Sequence, residues 1–356
     1  MQNHGGNLTE ISRKYGIKKD DIIDFSSNIN PLGFPDSVKA LFGKKVNEIM
    51  CYPDTNSTEL KEEIAKWHGI KEKNILVGNG STELIYLIGR VFNPKRALIP
   101  VPAFGEYERS LTCVRCELRY LPLKEKNYFR PDVDEILSLL SQIDILYLCN
   151  PNNPTGVLSE KNEILPLIDE AGKRDVLIVM DEAFMDFADN ESVTDEIRRR
   201  ENLIVIRSLT KFFGIPGLRL GYLIAGSKLV DKISHYKEPW TVNVLAQKAG
   251  IACFKDDNFR LRTKRFIARE RKYLLTELSK MEGVKPYASS TNYILIRIVK
   301  SGLSSGRLYE LMAGHGLLIR DCRSFRGLGN KFIRVAVKKR KNNDLLIKHL
   351  KKVLGR

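Results

Sequence analysis

The chain of 356 residues has no long apolar run. Its longest purely aliphatic stretches are about five residues, as in VLIVM at 176–180, far below the ~20 that a membrane-spanning helix needs. The N-terminus, MQNHGGNLTE, carries no apolar core of a signal peptide. Cysteine is scarce, with six in the whole chain, which excludes a disulfide-stapled scaffold and points to a reduced, cytoplasmic protein. Histidine is scarcer still: the five residues show no HxxxH or HExxH spacing, so no metal site is expected. Cys113 and Cys116 form a lone CxxC without the second ligand pair that structural zinc requires. Neither a GxGxxG fingerprint, a P-loop GKS/T nor an internal repeat is present, which disfavours dinucleotide, nucleotide-triphosphate and solenoid readings.

What the chain does have is positive charge, 59 Lys and Arg against 43 Asp and Glu. The basic residues are spread along the sequence. Where they concentrate, in 259–281, Phe259, Phe266, Leu274, Leu278 and Met281 keep helical spacing, so the segment reads as an amphipathic helix with a solvated basic face. That argues against a nucleic-acid partner.

From about residue 75 short apolar runs alternate with helical patterns: ILVG (75–78), ALIP (97–100), ILYLC (145–149), VLIVM (176–180), LIVIR (203–207) and GYLIA (221–225). Unbroken apolar strands separated by helices predict an α/β architecture whose mainly parallel sheet is covered on both faces. After about residue 231 the texture changes to long charged helices and a mixed tail, read as a smaller α+β domain. The expected organisation is an N-terminal segment, 1–45, beside the small domain; a large domain, 46–230; a helical connection, 231–265; and the small domain, 266–356.

Four motifs carry chemistry. SLTKFFGIPGLRLGY (208–222) places Lys211 just after a buried-looking strand, with glycines and Arg219 following. A lysine amine attacks carbonyls only when burial or a neighbouring cation lowers its pKa, and Arg219 has the fork to clamp an anion. A strand–loop–strand with an ordinary surface lysine would share this pattern. VMDEAFMDF (179–187) ends a strand at Asp181, where a buried carboxylate could hold a protonated pyridine nitrogen or simply cap a turn. NPNNPTG (150–156) sets Asn153 at the same sheet edge, though such segments are also common turns. In VGNGSTELI (77–85) the N–H groups of Ser81 and Thr82 open a helix after a glycine turn, a ready phosphate seat.

In this order the four motifs resemble the fold-type I pyridoxal-phosphate enzymes of the aspartate aminotransferase superfamily, over nearly the whole chain. The resemblance implies pyridoxal 5′-phosphate held covalently by Lys211, with Asp181 on the ring nitrogen and Asn153 on the ring hydroxyl. It further implies Ser81, Thr82, Ser208 and Arg219 as phosphate ligands and Phe104, in VPAFGEY (101–107), stacked on the ring. Tyr52, in CYPD (51–54), falls where relatives reach the neighbouring subunit's cofactor, which implies a homodimer with shared sites. One departure stands out: many members read DEAY, whereas here Phe184 lacks the tyrosine hydroxyl.

Two further segments narrow the resemblance, HGGN (4–7) with DFSSNINPLGFP (24–35), and LIRDCRSFRGLGNKFIRVAV (318–337). Arg320 and Arg334 on adjacent candidate strands suit a small substrate with a carboxylate and a phosphate. His4, as readily a free terminal residue, could add a donor beside Gly5 and Asn30. The combination is similar to the branch of the superfamily that decarboxylates O-phosphothreonine for the cobalamin side chain. That resemblance gives the α-carboxylate to Arg334 and the phosphate to Arg320, His4, Gly5 and Asn30. The alternatives are histidinol-phosphate aminotransferase chemistry, on the same residues, and a non-catalytic binding protein on this fold.

Overall fold

A computed structural model describes residues 5–44 and 46–355. Seven strands make the large sheet: β1 (Ile75–Gly78), β2 (Arg96–Val101), β3 (Glu117–Pro122), β4 (Ile145–Cys149), β5 (Leu177–Asp181), β6 (Leu203–Ser208) and β7 (Gly221–Ala225). Their order is β1-β7-β6-β5-β4-β2-β3. Only β7 runs antiparallel to its neighbours. Side chains on both faces are buried: Leu203 and Val205 join one core layer, Ile204 and Ile206 the other. Each such side chain contributes roughly 1.5–3 kcal/mol of burial, which explains why these strands read as continuous apolar runs.

Strand β3 was not among the expected strands. It is one of the two edge strands, with Glu117 and Pro122 exposed and charge at Arg119, the composition that blunts an open edge. Its polarity hides it from an apolar-run criterion.

A second, antiparallel sheet is built from β8 (Val284–Pro286), β9 (Tyr293–Ile298), β10 (Arg320–Asp321) and β11 (Phe332–Ala336), ordered β10-β11-β9-β8. One face packs Ile294 and Ile296 against Leu274 and Leu278 of a 23-residue helix, Asp257–Ser279, and against Leu346 and Leu350 of the last helix. The long helix crosses the boundary expected at 265/266: Phe259 lies in the large-sheet core, Leu274 and Leu278 in the small one. The N-terminal segment is also divided. Ile23 and Asp24 pair with Leu317 and Leu318, and Phe25 enters the small core, whereas Val38 enters the large one. Helical periodicity marks that a segment is buried but not against which core. Among the described residues no helix is long and apolar enough to cross a membrane.

Candidate active site

The register of the large sheet brings several strand ends to one level. Gly78 and Ser208 both pair with Gly221, and Cys149 pairs with Asp181. A cavity of about 200 Å³ opens there, at the carboxyl ends of β1, β4, β5 and β6, where α/β sheets present ligand contacts.

Lys211 sits on a four-residue helix, Leu209–Phe212, that follows β6 directly. Its Nζ faces the cavity and donates to Thr210 Oγ1 at 2.8 Å. Burial pushes the amine pKa down to about 8; the Arg219 and Arg334 cations assist, and Asp181 opposes them. A neutral, nucleophilic amine is therefore available near neutral pH. Asp181 ends β5 and is buried, with Tyr107 Oη donating to one oxygen at 2.6 Å and the Ala183 N–H to the other at 2.9 Å. Burial raises its pKa, while those two donors and Lys211 hold it down.

The phosphate seat has a distinct construction. Helix Ser81–Phe92 begins without a side-chain cap, so its first N–H groups remain for a ligand. Gly80, at φ 80° and ψ 159°, lies in a region that L-residues with side chains rarely enter. A Cβ built on it would stand 2.6 Å from the Arg219 guanidinium. A Cβ on Gly221 would stand 2.5 Å from the Ser81 nitrogen. The two glycines thus let a cation and a helix terminus converge. Arg219, itself at φ 58°, and Ser81, Thr82 and Ser208 all line the cavity.

Phe104 lines it too, edge-on to Tyr107 with ring centres 5.8 Å apart. Arg334, also at the wall, donates to Asn153 Oδ1, which turns the Asn153 amide nitrogen away from the arginine, and to the Ser26 carbonyl at 3.0 Å. Its buried Nε has no protein partner. Phe184 lines the cavity edge-on to Tyr293, at 5.0 Å, and supplies no hydroxyl.

Gly5 reaches the cavity wall by lying on Ser26: a Cβ there would be 2.6 Å from the Ser26 carbonyl oxygen, and the Gly6 N–H bonds Ser26 Oγ at 2.8 Å. His4 lies outside the described residues. Arg320 is directly cross-strand from Arg334 but does not line the cavity; its Nη2 donates to Ser324 Oγ at 2.7 Å. Burial, reinforced by Arg334, pushes its pKa down to about 10. Tyr52 is 84% exposed, its ring 5.1 Å from that of Trp240, and takes no part in the cavity of its own chain.

Asn30, expected at the substrate phosphate, does not line the cavity, and both ends of its amide are engaged within the protein. Its Nδ2 donates to the Phe212 carbonyl at 2.7 Å and to Thr263 Oγ1 at 2.9 Å; its Oδ1 accepts from the Leu32 N–H. Asn28, two residues earlier, lines the cavity instead, with a buried Oδ1 that lacks a protein partner. Tyr107, Thr210 and Cys149 were also missed. The NIN repeat could have flagged Asn28 as readily as Asn30; nothing local marks Tyr107.

An uncapped helix start beside a guanidinium, a buried carboxylate, an amine of lowered pKa and a buried arginine at the cavity wall form a set that fits pyridoxal 5′-phosphate and an anionic amino acid. The family model for aminotransferase class I and II matches residues 20–350. The chain belongs to this family. Within the class I and II aminotransferases it is similar to the threonine-phosphate decarboxylase of Salmonella typhimurium, at 35% identity over 99% of this chain and 96% of that protein. The crystal structure of the histidinol-phosphate aminotransferase from Clostridium acetobutylicum superposes with a TM-score of 0.87 at 32% identity, covering 93% of this chain and 98% of the other. That of L-threonine-O-3-phosphate decarboxylase from Porphyromonas gingivalis gives 0.84 at 31%, covering 93% and 99%. Proteins of both names thus share this chain's backbone fold.

Proposed function

We propose that this protein is a cytoplasmic, homodimeric lyase that decarboxylates L-threonine O-3-phosphate to (R)-1-amino-2-propanol O-2-phosphate, using pyridoxal phosphate held by Lys211. The observation that carries the reading is Arg334: a buried guanidinium at the cavity wall, braced by Asn153 and the Ser26 carbonyl. Ser26 is the same residue on which the Gly5–Gly6 segment folds, so the carboxylate site and the N-terminal cover share one support. Similarity to the Salmonella protein over almost full length supports the same reading.

Arg334 grips the α-carboxylate through charge-assisted hydrogen bonds. Asn28 and the Gly5 segment bound the end that receives the substrate phosphate. Pyridoxal phosphate, when bound, supplies the sink for the electron pair left at Cα as carbon dioxide departs. Asp181 would hold the protonated ring nitrogen, and Lys211, in its ammonium form, would return a proton to Cα. Phe184 would offer the ring oxygen one donor fewer than a tyrosine.

The dimer is proposed from Tyr52, Met50 and Trp240, which are 84%, 86% and 51% exposed. A second copy covers them and receives Tyr52 at its cavity. Mixing Lys211→Ala subunits with Tyr52→Phe subunits should regenerate activity in proportion to mixed dimers; a fully active monomer would end that part of the proposal.

The reaction is tested by measuring carbon dioxide release from O-phosphothreonine beside 2-oxoglutarate-dependent conversion of histidinol phosphate. Histidinol phosphate carries an alcohol where the amino acid has its carboxylate. Release of carbon dioxide supports the proposal; turnover of histidinol phosphate alone replaces it with transamination.

A further inference from the structure

The helix that carries Lys211 is only four residues long, too short to hold its own geometry in isolation. Its last carbonyls need partners from elsewhere. Asn30, some 180 residues away in sequence, supplies them: its backbone N–H donates to the Lys211 carbonyl at 3.1 Å, and its Nδ2 to the Phe212 carbonyl at 2.7 Å. The same Nδ2 donates to Thr263 Oγ1 at 2.9 Å, on the helix Asp257–Ser279 that enters both cores. Asn30 and Thr263 are both buried. Just beyond, the Gly33 carbonyl packs so closely on the turn after the Lys211 helix that a Cβ on Gly214 would stand 2.3 Å from its oxygen.

Toward its N-terminus the same strap touches the substrate end of the cavity. The Ser26 carbonyl accepts from Arg334, and the Asn28 carbonyl accepts from Asn292 Nδ2 at 2.9 Å. Residues 26–33 therefore run from the carboxylate-binding arginine to the lysine backbone without a break in hydrogen bonding or packing.

We infer that Asn30 is a positioning residue: it clamps the short Lys211 helix to the strap and to Thr263, so that the placement of the Lys211 amine depends on the seating of the strap against Arg334. The part of this inference that concerns turnover rests on the function proposed above; the part that concerns Lys211 does not.

Three variants test it, Asn30→Asp, Asn30→Ala and the near-isosteric Thr263→Val. In cofactor-free protein, the pH dependence of Lys211 acylation by a small anhydride is followed by peptide mass spectrometry. Arg219, Arg334 and Asp181 are the charged groups facing that amine and are unaltered in all three. Loosening the helix admits water to the amine, so the labelling midpoint should move up from near 8 by about one pH unit in Asn30→Ala and by less in Thr263→Val, whereas Asn30→Asp, which adds a carboxylate of its own beside the helix, is read only by kcat and KM. In the loaded enzyme kcat should fall on the order of tenfold while KM changes less than twofold, the signature of a misplaced group rather than a lost ligand. An unchanged labelling midpoint overturns the inference. A raised KM with unchanged kcat also overturns it, because that is what a substrate-phosphate ligand would show. If Asn30→Asp and Asn30→Ala fail to fold, Thr263→Val decides by the same two readouts. A failure of the decarboxylation reading would leave the labelling result standing, so the two outcomes are separable.

Discussion

Substituting Gly80 by alanine separates cofactor binding from folding. The backbone there, φ 80° and ψ 159°, is a glycine conformation that costs a residue with a side chain about 1–3 kcal/mol. The new methyl would also stand 2.6 Å from the Arg219 guanidinium, the far end of a flexible side chain that can swing aside. The clash is therefore relieved by moving the cation off the phosphate seat. Loss of one charge-assisted contact costs about 1.5–3 kcal/mol, so pyridoxal phosphate should bind roughly 10- to 150-fold more weakly. Thermal unfolding of the cofactor-free protein should fall by only a few degrees. Gly217→Ala is the control: it lies in the Lys211 loop, two residues before Arg219, at ordinary φ and with no atom within 4 Å of the added methyl. It should leave affinity unchanged. Absorbance titration with pyridoxal phosphate measures both. If Gly80→Ala binds the cofactor within twofold of the native chain, Arg219 is not seated by that glycine and the description of the phosphate site is wrong.

Three further outcomes follow from the same geometry. Capture of pyridoxal phosphate by the cofactor-free protein requires a neutral Lys211; with its pKa pushed down to about 8, the capture rate should rise about tenfold per pH unit below that value and level off above it, measured by stopped-flow absorbance. Tyr107→Phe removes the 2.6 Å donor to Asp181, so the carboxyl pKa should rise further; the pH profile of kcat should lose its acid side at higher pH than in the native enzyme. Arg334→Lys keeps a charge but not the fork, releasing both Asn153 and the Ser26 carbonyl, and should raise KM for O-phosphothreonine by roughly 10- to 100-fold while leaving the absorbance of bound cofactor in place.

Much of this arrangement was legible before any coordinates, for a physical reason. Strands buried on both faces are apolar throughout, so Ile75–Gly78, Ile145–Cys149 and Leu203–Ser208 announce themselves, and the residues just past their ends fall at the ligand edge. Lys211, Asp181, Asn153, Ser81 and Thr82 occupy such positions and meet at one cavity. Positions set by long-range packing were not legible. Asn28 and Asn30 share a tripeptide, yet one faces the cavity and the other is spent on Phe212 and Thr263. Arg320 and Arg334 are neighbours on paired strands, but only one reaches the cavity, since backbone pairing does not specify where a long side chain ends. Tyr107 depends on the approach of its helix start to β5, which no local pattern encodes.

The pairing of Ser208 with Gly221 means that residues 209–220, Lys211 among them, form a loop whose two ends are already joined by the central ladder. The entropy of closing that loop is settled when β6 and β7 zip together, before any cofactor arrives. The relative placement of Lys211 and Arg219 is consequently exposed to anything that frays this one hairpin. The same closure makes the loop's length a tuned quantity: a residue inserted between Phe213 and Leu218 would leave the sheet intact while uncoupling the amine from the arginine that follows it.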